Sequence, residues 1–306
     1  MNFQLQQNES LQEGIKRILY EEIDFALMSL QAEENIHEGV HDARKSFKKI
    51  RSIARFVRDE IGDEKYTVEN TWYRDAGRKL SALRDATAMI ETLDKIRLQY
   101  PESISDKTYL SLEKTLLKNQ EEISYLLLVQ RNIRQTVSFL LVEGRERVET
   151  LNLPKNSFRA IKKSICRVYT QGYDGLALSM DDPSDFNLHE WRKSVKHIWY
   201  HLLLIRNIWP GMMDAYAEEL HTLSEMLGTD HDLAILNDSL ENGSLNIDNE
   251  KAKLQIVNII ARYRHEIQMN IYTLASKIYR QRPNDFVSYL ETYWNTWRRS
   301  FPLNLY

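Results

Sequence analysis

The second half of this 306-residue chain repeats the first. Val40-His41-Asp42 is matched 148 residues later by Leu188-His189-Glu190. At the same offset Arg44-Lys45-Ser46 is matched by Arg192-Lys193-Ser194, and Lys48 by Lys196. "RDATAMIETL" (84–93) returns at an offset of 147 as "HDLAILNDSL" (231–240), and "GIKR" (14–17) at 146 as "AIKK" (160–163). Blocks that recur in one order at nearly one spacing mark an internal duplication. The halves divide at "LNLPKNS" (151–157), which holds a proline, two asparagines and no helical period. Residues 1–150 and 151–306 therefore read as two copies of one unit, together making one domain.

Each unit reads as helical. Glycine (10) and proline (6) are scarce, 28% of residues are charged, and aliphatic residues recur every three or four positions. In the first half the pattern predicts helices over 11–30, 35–61, 67–98 and 105–150, the last being one helix or a bent pair with Gly144 as its weak point. In the second half it predicts helices over 155–180, 187–208, 212–240 and 248–281, then a short aromatic-rich C-terminal helix. The expected fold class is all-α: two four-helix bundles related by an internal pseudo-two-fold duplication. The lone Cys166 precludes an intrachain disulfide, points to a reducing compartment and reads as a small core residue on a helix. No basic segment followed by an apolar one opens the chain, and the apolar runs are only a few residues long. A cytoplasmic protein with no membrane span is the expectation.

The formal net charge is −3, so any electrostatic function must come from segregation of charge. Segregation is marked. After Asp42 no acid occurs until Asp59, and none occurs from Trp191 to Gly211. On a helical wheel His41, Arg44, Lys45, Lys48, Arg51 and Arg55 fall within an arc of about 120°, with Val40, Ala43, Phe47, Ile50 and Ala54 opposite. Arg44–Lys48 and Arg51–Arg55 are like-charged i,i+4 pairs, each destabilising by about 0.2–0.5 kcal/mol. An ordinary solvated face mixes signs. The second half repeats the arrangement with His189, Arg192, Lys193 and Lys196, but Trp199 stands in place of Arg51, Tyr200 of Ser52 and Leu203 of Arg55. A repeated, mildly destabilising cationic stripe points to a polyanion partner, bound asymmetrically with more charge from the first half.

These segments, "VHDARKSFKKIR", "LHEWRKSVKHIWY", "LRDATAMIETL" and "LGTDHDLAILNDSL", resemble the CHAD family, the conserved-histidine α-helical domain. The resemblance extends from about Leu11 to about Tyr279. It implies two four-helix bundles related by pseudo-two-fold symmetry, and binding of inorganic polyphosphate in a basic, histidine-containing central channel or cleft. Some members accompany polyphosphate granules, and some are fused to a CYTH triphosphatase-type domain, whose ExExK motif this chain lacks. By motif, His41, Arg44, Lys48, Arg51 and Arg55 correspond to the first basic helix, and His189, Arg192 and Lys196 to the second. Arg84 and His231 hold matched places. Lys16, Arg17, Lys162 and Lys163, on the first helix of each half, complete the expected site. The chain departs from the family in being slightly acidic overall and in its shortened second stripe.

Such residues suit polyphosphate. Arginine offers a planar fork, lysine a mobile point charge, and histidine a donor that gains charge on acidification. Binding of this class needs no cofactor and no metal, and the expectation is a non-catalytic protein. Asp42, Glu190, Asp85 and Asp232 are expected to pair with cations on neighbouring helices. His37, His201 and His265 read as helix-packing residues, and His197 and His221 as intermediate. Two other readings stay open. "HD" at 41–42 and 231–232 allows a metal-dependent phosphohydrolase, although cations at i+3 and i+4 from His41 oppose a metal there. The aromatic segment 289–301 allows a scaffold that binds protein. No base-reading motif supports sequence-specific nucleic-acid binding.

Overall fold

Ser10 starts the first helix with a capping box. Its Oγ accepts the Glu13 N–H at 3.2 Å, and Glu13 Oε2 accepts the Ser10 N–H at 2.8 Å. From there α1 runs Leu11–Gln31. The computed structural model describes residues 3–245, 247 and 249–299. Residues 1–2 and 300–306, the outer ends of the two expected halves, lie outside the described residues, as do Asn246 in the loop after 240, Asp248 at the start of the expected helix 248–281, and Ser300-Phe301 of the aromatic segment. Among the described residues the fold is all-α with no strand.

The first half is more broken than its periodicity suggests. The stretch 35–61 is α2 (Ile36–Phe56) and a single turn, α3 (Arg58–Ile61), ended by Gly62 at φ 82°. The stretch 67–98 is two helices, α4 (Asp63–Lys79) and α5 (Ser81–Gln99), interrupted at the buried Leu80. The cause is tertiary: Arg44 Nη1 of α2 donates to the Gly77 carbonyl at 2.7 Å and to Ser81 Oγ at 2.9 Å, occupying the helix at its break. The stretch 105–150 is a bent pair. α6 (Asp106–Ser124) passes through a π-helical turn (Tyr125–Gln130) into α7 (Ile133–Glu149), with the bend at Asn132, φ 43°. Gly144 is not the weak point. It is buried inside α7, where a Cβ would stand 2.5 Å from the Tyr73 hydroxyl.

The second half follows its sequence pattern closely. α8 (Arg159–Asp181) is followed by α9 (Asp185–Leu204), capped by Ser184, and a 3-10 turn (Arg206–Ile208). α10 (Pro210–Glu241) and α12 (Pro283–Arg298) each begin with a proline, whose missing N–H costs nothing in the first turn. α11 (Glu250–Ile278) starts at Asn249, whose side chain accepts two backbone N–H groups. Cys166 is partly buried on α8, its Sγ 3.6 Å from Asn284 Oδ1.

α1 packs on α2 and α7, α2 on α4, and α5 on α6; α8, α9, α10 and α11 are successive neighbours, and α12 lies on α8. The halves meet where α2 touches α8 and α9, and where α5 touches α10 and α11. One buried apolar cluster extends from Leu5 to Trp294, so the two halves share a core. The N-terminal segment straps them together: Leu5 N–H donates to the Leu204 carbonyl at 2.8 Å, and Asn207 Nδ2 donates to the Leu5 carbonyl at 2.8 Å. The aromatic C-terminal helix joins this core through Trp294. No helix among the described residues is long and apolar enough to cross a membrane.

The α1–α2 crossing depends on Gly39, where a Cβ would stand 2.2 Å from the Ser29 carbonyl oxygen. A backbone oxygen cannot swing aside, so Gly39→Ala must separate the helices. Chemical denaturation should show a loss of about 1–3 kcal/mol; an unchanged midpoint would mean the crossing is loose.

Candidate functional site

Between the halves lies a cleft of about 1320 Å³, walled by α2 and α5 on one side and by α8, α9 and α10 on the other. His41, Arg44, Lys45, Lys48, Arg51 and Arg55 reach it from α2, Arg84 from α5, His189, Arg192, Lys193 and Lys196 from α9, and His231 from α10. Ten Lys or Arg residues and seven Asp or Glu line it, together with six histidines, so a chain of net negative charge keeps a cationic excess here. Four expected residues lie elsewhere. Lys16 Nζ donates to the Glu149 carbonyl at 2.8 Å, Arg17 pairs with Glu9 and Glu21, Lys162 pairs with Glu291 at 2.6 Å, and Lys163 is exposed on α8. Their match in sequence lies on α1 and α8, on faces away from the cleft.

The cleft cations are held in two ways. Some are anchored: Arg44 on Gly77 and Ser81, Arg51 Nε on Asn70 Oδ1 at 3.0 Å, Arg55 over the Tyr66 ring at 5.5 Å, and Arg84 by two 2.7 Å bonds to Glu91. Lys193 pairs with Glu190, and Lys196 stands 3.9 Å from Glu225. Lys45, Lys48, Lys95 and Arg192 are different, because none forms an ion pair or side-chain hydrogen bond among the described residues. Arg192 lies against Gly228, where a Cβ would be 3.1 Å from Nη2, so this glycine leaves room for the guanidinium. The Nε atoms of Arg44, Arg55 and Arg192 are buried without a partner among the described residues.

Lys48 is deep between the cleft walls yet open to cleft water. This setting, with Lys196, Arg192, Arg44 and Arg84 around it, holds its ammonium well below the lysine range. Burial and Arg192 bring Lys196 down to about 8, against the opposing pull of Glu225 and Asp232. The histidines follow. The His189 and His231 rings are 4.3 Å apart; burial, His231 and nearby cations hold His189 at about 4, and burial and Arg192 hold His231 at about 4 against the pull of Asp185. His41 is lowered by burial, Arg84 and Lys48, and His197 is held well below its usual value by burial and Arg55.

Three other assignments change, those of His37, of His265, which is exposed on α11, and of the acids, whereas His201 is the packing residue expected. His37, read as a packing residue, lines the cleft with Nδ1 3.2 Å from Thr87 Oγ1. His201 is wholly buried outside it, donating through Nε2 to the Ser52 carbonyl at 3.1 Å and lying edge-on to Phe56. The acids do not bridge to neighbouring helices: Glu190 pairs within α9, and Asp42, Asp85 and Asp232 form no ion pair among the described residues. Asp85 and Asp232 line the cleft instead, their pKa values raised chiefly by burial. Glu91 and Lys95, seven and eleven residues beyond Arg84, were missed, although a wheel centred on Arg84 puts them on its face. Among the described residues no three His, Cys, Asp or Glu side chains are grouped to hold a metal ion.

A helical molecule with a cation-rich cleft between its halves is the class defined by this geometry. The family follows from comparison. The profile described as "CHAD domain" matches residues 10–241, and the chain belongs to that family. Among solved structures it is similar to the crystal structure of the CHAD domain from the plant Ricinus communis, with a TM-score of 0.60 and 16% identity over 95% of each chain. No curated protein matches the sequence.

The depressed histidines make stability depend on pH. Unfolded histidines take up protons near 6.5, whereas His189 and His231 wait until about 4 and His201 until about 3. The unfolded state therefore binds more protons below 6.5, and the histidine contribution to stability is lost as pH falls from there towards 4. In denaturant titrations between pH 7.5 and 4.5, His189→Gln/His231→Gln should lose less stability than the parent. An identical pH profile would show that these rings titrate normally.

Proposed function

We propose that the cleft binds inorganic polyphosphate, without chemistry on the chain, between two four-helix halves related by pseudo-two-fold duplication. One observation carries this: Arg44, Lys48, Arg192 and Lys196, from α2 and α9, share one cleft, and neither Lys48 nor Arg192 has an acidic partner among the described residues. Gathering like charges in a cationic excess with some of them outside any ion pair is destabilising unless a ligand supplies the anion. Polyphosphate offers a repeating charge and no other feature, which suits a wall of cations with no base-reading side chain. Membership of the CHAD family supports the same ligand. The duplication is supported by His41 and Arg84 of one half facing the cleft at the places that His189 and His231 take in the other. Cytoplasmic residence, with association to polyphosphate granules, belongs to the same proposal, as does the absence of a cofactor.

The test is binding of long-chain polyphosphate, against heparin and single-stranded DNA, over a salt series. The parent should prefer polyphosphate, and affinity should fall steeply with salt through counterion release. Lys48→Ala/Arg192→Ala should weaken binding about tenfold or more and lower the salt slope by about 2. No binding at low salt would overturn the proposal.

Binding should also take up protons. An anion raises the depressed pKa values of Lys48, Lys196, His41, His189 and His231, so affinity should decline as pH rises through about 8 and increase below neutrality. Calorimetry in buffers of different ionisation enthalpy measures the uptake; proton release on binding would contradict this electrostatic picture.

A further inference from the structure

The cleft has one region that inorganic phosphate cannot use. Trp199 takes the place in the second stripe that Arg51 holds in the first, one helical turn beyond Lys196. Its indole stacks on Tyr200 at 4.7 Å and 27°, and on His221 of α10 at 4.6 Å and 29°. Tyr200 is buried and braced edge-on by Phe3 at 5.9 Å, which fixes the inner end of the stack. Trp199 and His221 are only half-buried, and both line the cleft. Lys196 and its partner Glu225 stand one turn away on the two helices that carry them.

The outer end of this stack leaves half-buried ring surface in a cleft whose charged walls also hold Met89, Leu178 and Ile235. A phosphate chain has no ring to cover it, and the negative face of an aromatic ring repels anions. The matching ligand is a flat heterocycle attached to phosphates. Taking the phosphate-binding reading of the cleft as its basis, we propose that this end of the cleft binds nucleoside polyphosphates, with the base on the His221 end of the Tyr200–Trp199–His221 stack and the phosphates on Lys196, Arg192 and Lys48. Stacking of this kind tolerates any base, because every base has a π-face.

The probes are ATP, GTP and inorganic tripolyphosphate, titrated by calorimetry at one ionic strength, with long-chain polyphosphate as reference. ATP carries fewer ionisable phosphate oxygens than tripolyphosphate, so charge alone predicts that it binds more weakly. Stacking should reverse the order, with ATP and GTP binding about tenfold more tightly than tripolyphosphate. Trp199→Leu and His221→Ala, on different helices so that a folding defect in one leaves the other informative, should each bring that ratio near or below one. The proposal is overturned if ATP and GTP bind no more tightly than tripolyphosphate to the parent, or if the ratio survives in both variants. If polyphosphate binds but nucleotides gain nothing, this inference alone fails. If no phosphate compound binds, the phosphate reading of the cleft fails with it.

Discussion

The structure turns on keeping like charges close without letting them cancel. α2 and α9 meet at a buried contact, where His201 donates to the Ser52 carbonyl and packs against Phe56. The turns that precede this contact carry both basic stripes along the cleft. Lys48 shares the cleft with Lys196 and Arg192 of the opposite half, and burial together with the cations around them holds the Lys48 and Lys196 ammonium groups below the lysine range. The shared apolar core and the Leu5 strap resist that repulsion, because the cleft cannot open without breaking contacts made by buried groups.

The site also shows how selectively the chain spends its acids. With three more acids than bases overall, it could neutralise every cleft cation. Instead Glu91 anchors Arg84, Glu190 holds Lys193, and Glu22 binds Lys49 on the side of α2 away from the main stripe, while Lys48 and Arg192 stay without an acid among the described residues. Anchoring bonds to neutral groups, such as Gly77, Ser81 and Asn70, orient Arg44 and Arg51 without consuming their charge. That division separates cations that position from cations that remain available.

Much of this was legible because it rests on local and periodic rules. The duplicated blocks, the acid-free runs and the wheel of α2 placed twelve side chains on one cleft. Helix starts were legible where a cap exists, as at Ser10 and Ser184. What was not legible depends on long-range partners. The break at Leu80 follows from the Arg44 guanidinium bound to Gly77, 33 residues further along the chain, and the bend at Asn132 needs a left-handed residue that periodicity does not reveal. Lys16 and Lys162 repeat like the cleft residues, yet the repeat conserves helix position, not which face meets the other half. Asp85 and Asp232 were expected to pair, but pairing depends on side-chain geometry across the cleft, which periodicity does not reveal.

The most direct test of the account is the stability of Lys48→Met without ligand, measured by chemical denaturation at low ionic strength. Methionine keeps the length of the side chain and removes its charge. If the cleft holds uncompensated cations, the variant unfolds at a higher denaturant concentration than the parent while its affinity for polyphosphate falls. A variant less stable than the parent would mean that Lys48 is held by favourable contacts in the folded protein, and the cleft would no longer be a site waiting for an anion.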